Sequence, residues 1–159
     1  MRTGTEKPGG EFEPRLLLGE MGRLEEAASR LQKAAELDPQ SPVAVYNLGV
    51  INARLGRINP ALDYLRRSCT LQPENPQYAY SLAFYLYQSG NASGPVDILQ
   101  KIVRKEAPSI DAISLLGEIY VKQGKIREAR TLYQRALKSN QLSTEDSELL
   151  KSRIAALPK

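Results

Sequence analysis

Histidine and tryptophan are absent from this 159-residue chain, cysteine occurs once and phenylalanine twice. Without histidine the chain has no side chain whose ordinary pKa lies near neutrality, and the commonest metal and haem ligand is missing. The single cysteine, Cys69, can make neither an internal disulfide nor a paired-thiolate metal site. Beside Ser68 on an expected helix, and with no histidine to activate it, it reads as a buried, unreactive thiol. No apolar run approaches the roughly 20 residues that a bilayer span needs, so no membrane span is expected. There is no glycine-rich phosphate loop and no cluster of carboxylates at ligand spacing. Asp111 and Glu118 stand two turns apart on one expected helix and are the nearest thing to an acid pair; they read as two solvated carboxylates. The chain is therefore expected to be no enzyme, with no cofactor and no metal.

What the chain does have is a repeat. Gly22, Gly56, Gly90 and Gly124 stand 34 residues apart, the period of a two-helix unit used several times over. Leu48, Leu82 and Leu116 form a second column, each followed by a small residue, Gly49, Ala83 or Gly117, that lets two helices approach closely. Five residues past each repeat glycine come Ala27, Ala61, Pro95 and Ala129; then Leu31, Leu65, Leu99 and Tyr133; then Ala34, Ser68, Ile102 and Ala136. Steps of four and three residues draw one helical face. Pro39 and Pro73 close two units, and Pro108 arrives one place late in the next. Helices are expected at about 15–21, 24–37, 43–55, 60–71, 76–89, 95–106, 110–123, 126–139 and 144–156, with Asn59 before Pro60 and Ser93 before Gly94 and Pro95 as helix starts.

On these residues the chain resembles the tetratricopeptide repeat family. The run YNLG (Tyr46 to Gly49) with Gly56, Ala61 and Pro73 carries the resemblance, as does LLGEIY (Leu115 to Tyr120) with Gly124, Ala129, Tyr133 and Ala136. The unit opening at Pro76 departs furthest, with Ala83 for glycine and Pro95 for alanine. The resemblance implies an all-α fold, a right-handed α-solenoid of antiparallel helix pairs. Residues 15–157 are expected to form one domain: a partial unit over 15–39, full units over 42–75, 76–109 and 110–142, and a capping helix over 144–157. Residues 1–14, with Pro8, Gly9 and Gly10, read as a disordered lead.

The last helix opens at Ser143 or Thr144, carries Glu145, Asp146 and Glu148 in its early turns, and has Leu149, Leu150, Ile154 and Leu157 as its apolar stripe. This suits the end of a repeat stack, where one face meets water. The opening unit keeps only a stub of its first helix, so the chain is expected to be a piece or tail of a longer array.

In the family, the second, fifth, ninth and twelfth positions of each repeat face the binding groove. The resemblance maps these onto Val43, Tyr46, Val50 and Ala53; Gln77, Tyr80, Phe84 and Tyr87; and Asp111, Ser114, Glu118 and Val121. Tyr80, Phe84 and Tyr87 recur at i, i+4 and i+7 and share a helical face, while Ala79, Leu82, Ala83 and Leu86 supply a separate core stripe. Aromatics exposed in such a groove make good anchors for a partner's apolar side chains. The carboxylate clamp by which some members hold chaperone C-termini has Asn47 as its one match here and is not expected.

A net charge of +4 raises the question of nucleic acid. The basic residues Lys101, Arg104, Lys105, Lys122, Lys125, Arg127, Arg130, Arg135 and Lys138 are interleaved with Glu106, Glu118 and Glu128, and mostly fall on second helices, away from the aromatics. They read as a solvated outer face without a nucleic-acid partner. The segment Pro73 to Gly90 is also similar to the tyrosine-rich repeat tails of bacterial multihaem cytochromes and other exported proteins. That similarity implies a periplasmic parent; without it the compartment stays open between cytoplasm and periplasm. The reading that follows is a non-enzymatic interaction module whose partner is a peptide or helical segment of another protein. The alternative is a structural role, self-assembly or stacking on the rest of its own parent as an intramolecular scaffold element, through an apolar N-terminal end, Leu16, Leu17, Leu18 and Met21.

Overall fold

The computed structural model describes residues 12–91, 93–105, 109–139 and 141–158. Among them are eight helices and no strand. The chain divides into two compact units at Leu71 and Gln72.

The first unit contains α1 (Phe12–Leu37), α2 (Pro42–Arg54) and α3 (Ile58–Leu71). Ser41 starts α2: its hydroxyl accepts from the Ala44 N–H, and Pro42 occupies the first turn, where its missing N–H costs nothing. The helix ends on Gly56, at φ +75°. There the Arg57 N–H reaches the Asn52 carbonyl at 2.8 Å and the Gly56 N–H reaches that of Ala53 at 3.0 Å. This paired closure needs a left-handed residue, which glycine adopts without steric cost. Helix α3 begins at Ile58, one residue before the expected cap, so Asn59 and Pro60 lie in its first turn. Ala28, Ala35, Val45 and Leu48 form the buried centre, with Leu31, Ile51, Leu55 and Tyr64 against it. Gly49 lets α2 and α3 approach closely, since a Cβ there would stand 3.0 Å from Leu65 Cγ.

Three expectations change in this unit. Gly22 makes no turn, and α1 runs through it as one helix. A glycine inside a helix costs about 1 kcal/mol, less than nucleating a separate seven-residue helix upstream. Losing the turn shifts the register by one residue, so Ala28 and Ala35 are buried where Ala27 and Ala34 were expected, and Ala34 is exposed. Cys69 is half-buried rather than buried. Burial raises its pKa against a smaller opposing hydrogen bond with Ser68, which keeps the thiol protonated at neutral pH. Of the expected disordered lead over 1–14, residues 1–11 lie outside the described residues and residues 12–14 open α1.

The second unit contains α4 (Pro76–Gln88), α5 (Gly94–Val103), α6 (Ile110–Lys122), α7 (Ile126–Lys138) and α8 (Thr144–Ala155). Asn75, Ser109 and Ser143 cap α4, α6 and α8 through their side-chain oxygens. Helix α5 starts at Gly94, two residues later than its counterparts by the 34-residue step. Ser93 makes no side-chain cap there; Asn91 Oδ1 accepts from the Gly94 N–H at 3.0 Å instead. The helix stops at Val103, short of the expected 106, and Glu106 and Pro108 lie outside the described residues.

Each helix packs on the next in order, α4 through α8. The core gathers Ala83, Leu99, Ile102, Ile113, Leu116, Ile119, Ala129, Tyr133 and Leu150. Tyr133 is 2% exposed and fills the notch left by Gly117, where a Cβ would overlap its phenol ring and hydroxyl. Burial raises the Tyr133 pKa, and the Arg153 guanidinium on α8, hydrogen-bonded to it, pulls the other way. On α8, Leu150 is fully buried whereas Leu149, expected beside it in the apolar stripe, is 41% exposed.

Candidate functional site

Helix α4 carries two apolar faces. Tyr78, Leu82, Ala83 and Leu86 are buried on one. Tyr80, Phe84 and Tyr87 line the other, each partly exposed and resting on the edge of the core. Ala79 is only half-buried, and Tyr78, which the repeat pattern did not single out, takes a core place.

The aromatic face is ordered by its own contacts. The Tyr80 and Phe84 rings stack with centroids 6.3 Å apart, and the Phe84 ring meets Tyr85 edge-on at 5.1 Å, both favourable arrangements for ring quadrupoles. At the C-terminal end of α4 the Tyr87 hydroxyl donates to Glu118 Oε1 at 3.1 Å. Lys122 Nζ lies 3.2 Å from the same carboxylate oxygen and 5.0 Å from the centre of the Tyr87 ring. This triangle joins α4 to α6, and it fixes the tilt of Tyr87 through a hydrogen bond and a cation–π contact together. Tyr87 first, then Glu118, hold the Lys122 ammonium above the ordinary lysine range. At the other end of the face, burial raises the Tyr80 pKa and the Asp111 carboxylate adds to it, because a negative neighbour disfavours the phenolate.

The expected site residues thus fall into two groups. On α4 and α6, Tyr80 faces Asp111 and Tyr87 meets Glu118, with Phe84 stacked on Tyr80 between them; Gln77 is exposed, and Ser114 half-buried on α6. In the first unit, Val43, 57% exposed, shares a face of α2 with Tyr46 and Val50, both half-buried, beside half-buried Asn47. Ala53, mapped to the same face, is buried instead. Asp111 and Glu118 engage different aromatics and make no acid pair. Lys122 and Tyr85 belong to the face and were missed. Lys122 was legible in principle, four residues past Glu118, a spacing at which opposite charges meet on a helix.

Among the described residues no group of histidine, cysteine, aspartate and glutamate could hold a metal ion, and no helix is long and apolar enough to cross a membrane. A family model described as "TPR repeat" matches residues 17–56. A second, described as "Anaphase-promoting complex, cyclosome, subunit 3", matches residues 56–136, about half of the chain. No curated protein matches at a significant level. Among solved structures, MamA 41-end from Desulfovibrio magneticus RS-1 is 18% identical with a TM-score of 0.66, covering 91% of this chain and 87% of that one. A crystal structure of MamA is 19% identical with a TM-score of 0.66, covering 84% and 80%. YrrB, described as a TPR protein with an unusual peptide-binding site, is 20% identical with a TM-score of 0.64, covering 86% and 72%. The likeness is one of fold.

Proposed function

The chain belongs to the tetratricopeptide repeat family, and from that premise we propose that it is a non-enzymatic protein–protein interaction module that takes a peptide or helical segment of a partner on the α4–α6 wall. The observation that carries this reading is the second apolar face of α4. Tyr80, Phe84 and Tyr87 stay partly exposed while another stripe of the same helix supplies the core. Partly exposed aromatics held in fixed orientation bury large area on contact and lose little entropy, which is the character of binding hot spots. YrrB, similar in fold, is described as having a peptide-binding site, which supports a peptide as the class of ligand. Val43, Tyr46, Asn47 and Val50 on α2 form a second candidate face in the first unit, and Gln77, Asp111, Ser114 and Glu118 would set the polar rim of the α4–α6 wall.

Phe84→Glu tests the proposal. Placing a carboxylate between Tyr80 and Tyr85 should abolish capture of the partner from a lysate while leaving the far-ultraviolet circular dichroism and the melting temperature close to wild type. A variant that unfolds would make Phe84 a core residue; one that folds and still captures the same protein would remove the wall from the site.

Self-association through the N-terminal end is the competing reading. Met21, 44% exposed on α1, favours it, while the side chains of Leu16, Leu17 and Leu18 lie outside the described residues. Sedimentation at two protein concentrations separates the readings: a mass that rises with concentration and falls back in Met21→Lys supports assembly.

A further inference from the structure

The second unit carries a feature that the aromatic wall does not explain. Two adjoining hollows, of about 260 and 320 Å³, lie between α5, α6 and α7 and share Val103, Arg104, Leu132 and Arg135. Their floor is aliphatic. Val103 and Leu132 are partly exposed there, with buried Ile113, Leu116 and Ala136 beneath. Their rim is basic: among the described residues, Arg104, Lys105, Arg127 and Arg135 stand against one carboxylate, Glu128. Lys105 is engaged with Glu74 at 3.1 Å. Arg104, Arg127 and Arg135 make no ion pair among the described residues.

We infer that this crevice is a second docking site, for an acidic amphipathic peptide segment of a partner protein, whose aliphatic side chains cover Val103 and Leu132 while its carboxylates meet Arg104 and Arg135. Charge complementarity sets the sign of the occupant, since three guanidiniums with no ion pair among the described residues surround a floor that carries no charge. Guanidinium forks match carboxylates bidentately. The floor argues for peptide over nucleic acid. Bases need partly exposed aromatic rings to stack on, and the one ring lining the hollows, Tyr120, is 8% exposed with its hydroxyl accepting from Gln100 at 2.8 Å. The site is independent of the α4–α6 wall, so either can fail without the other.

The test uses the full chain and a fluorescent fourteen-residue helical peptide with leucine on one face and glutamate elsewhere. Its controls are the same peptide with lysine for every glutamate and a single-stranded oligonucleotide of equal charge. The acidic peptide should bind, and R104E/R135E should weaken it at least about tenfold, because two exposed ion pairs become repulsions. Both arginines are exposed, so the variant should fold as wild type does. Amide chemical shifts should move at Val103, Leu132 and Arg135, with Phe84→Glu leaving the affinity unchanged. Binding no tighter than that of the lysine peptide, equal affinity in R104E/R135E, shift changes confined to α4 and α6, or tighter binding of the oligonucleotide would each overturn the inference.

Discussion

Gly117→Ala is the sharpest test of how the second unit is packed. A Cβ at position 117 would overlap the ring and hydroxyl of Tyr133, a rigid side chain 2% exposed and tied to Arg153 on α8. The ring cannot bend away as the tip of a lysine can, so either α6 and α7 separate or Tyr133 leaves its notch. Overpacking of this kind costs at the upper end of the usual range, about 3 kcal/mol. Alanine inside a helix is favoured over glycine by about 1 kcal/mol, which leaves a net loss of about 2 kcal/mol. For a chain of this length that lowers the melting temperature by about 4–8 °C. Urea titration followed at 222 nm gives the free energy, and an unchanged slope shows that the native state kept its compactness. Tyr133→Leu removes the clashing atoms. In that background Gly117→Ala should cost nothing, so the two substitutions should couple by about 2–3 kcal/mol. Wild-type stability for the single variant, or strict additivity in the pair, would refute this account of the α6–α7 contact.

Gly90→Ala tests the turn rather than the packing: with φ +84° and open space around the glycine, the variant should lose about 1–2 kcal/mol from backbone strain alone, and Gly90→Asn less, as compared by thermal melting. Stability should be level near neutrality, because the chain has no histidine, and should fall above about pH 9. Cys69, Tyr80 and Tyr133 have raised pKa values in the fold, so the unfolded state releases those protons first and alkaline pH favours it. Lys122, raised by its neighbours, acts in the same direction, because its charged form is the one the fold favours. A melting temperature that holds steady through about pH 10.5 would contradict the assignments of Cys69, Tyr80 and Tyr133, and one that holds through about pH 11.5 that of Lys122 as well. Phe84→Glu and R104E/R135E, described above, should separate binding at the α4–α6 wall from binding in the α5–α7 crevice.

Much of this molecule follows from the order of its residues. The glycines at 34-residue intervals mark left-handed helix ends at Gly56, Gly90 and Gly124, and the Leu–small columns mark the buried contacts at Gly49, Ala83 and Gly117. Both are local requirements, one of backbone torsion and one of side-chain volume, and local requirements leave a period in sequence. The face of α4 that carries Tyr80, Phe84 and Tyr87 was legible for the same reason, by helical spacing. The first glycine of the series, Gly22, was misleading. At Gly22 a turn is permitted but not required, so α1 stays continuous and its buried face moves to Ala28 and Ala35. Tertiary structure also decided what sequence spacing cannot carry, namely contacts between helices. Glu118 joins Tyr87 and Lys122 across α4 and α6, Arg153 reaches Tyr133 from α8, and Arg104, just past the end of α5, and Arg135 of α7 come to one crevice. Torsion and volume are properties of single residues and their near neighbours; proximity across helices depends on how the finished elements pack.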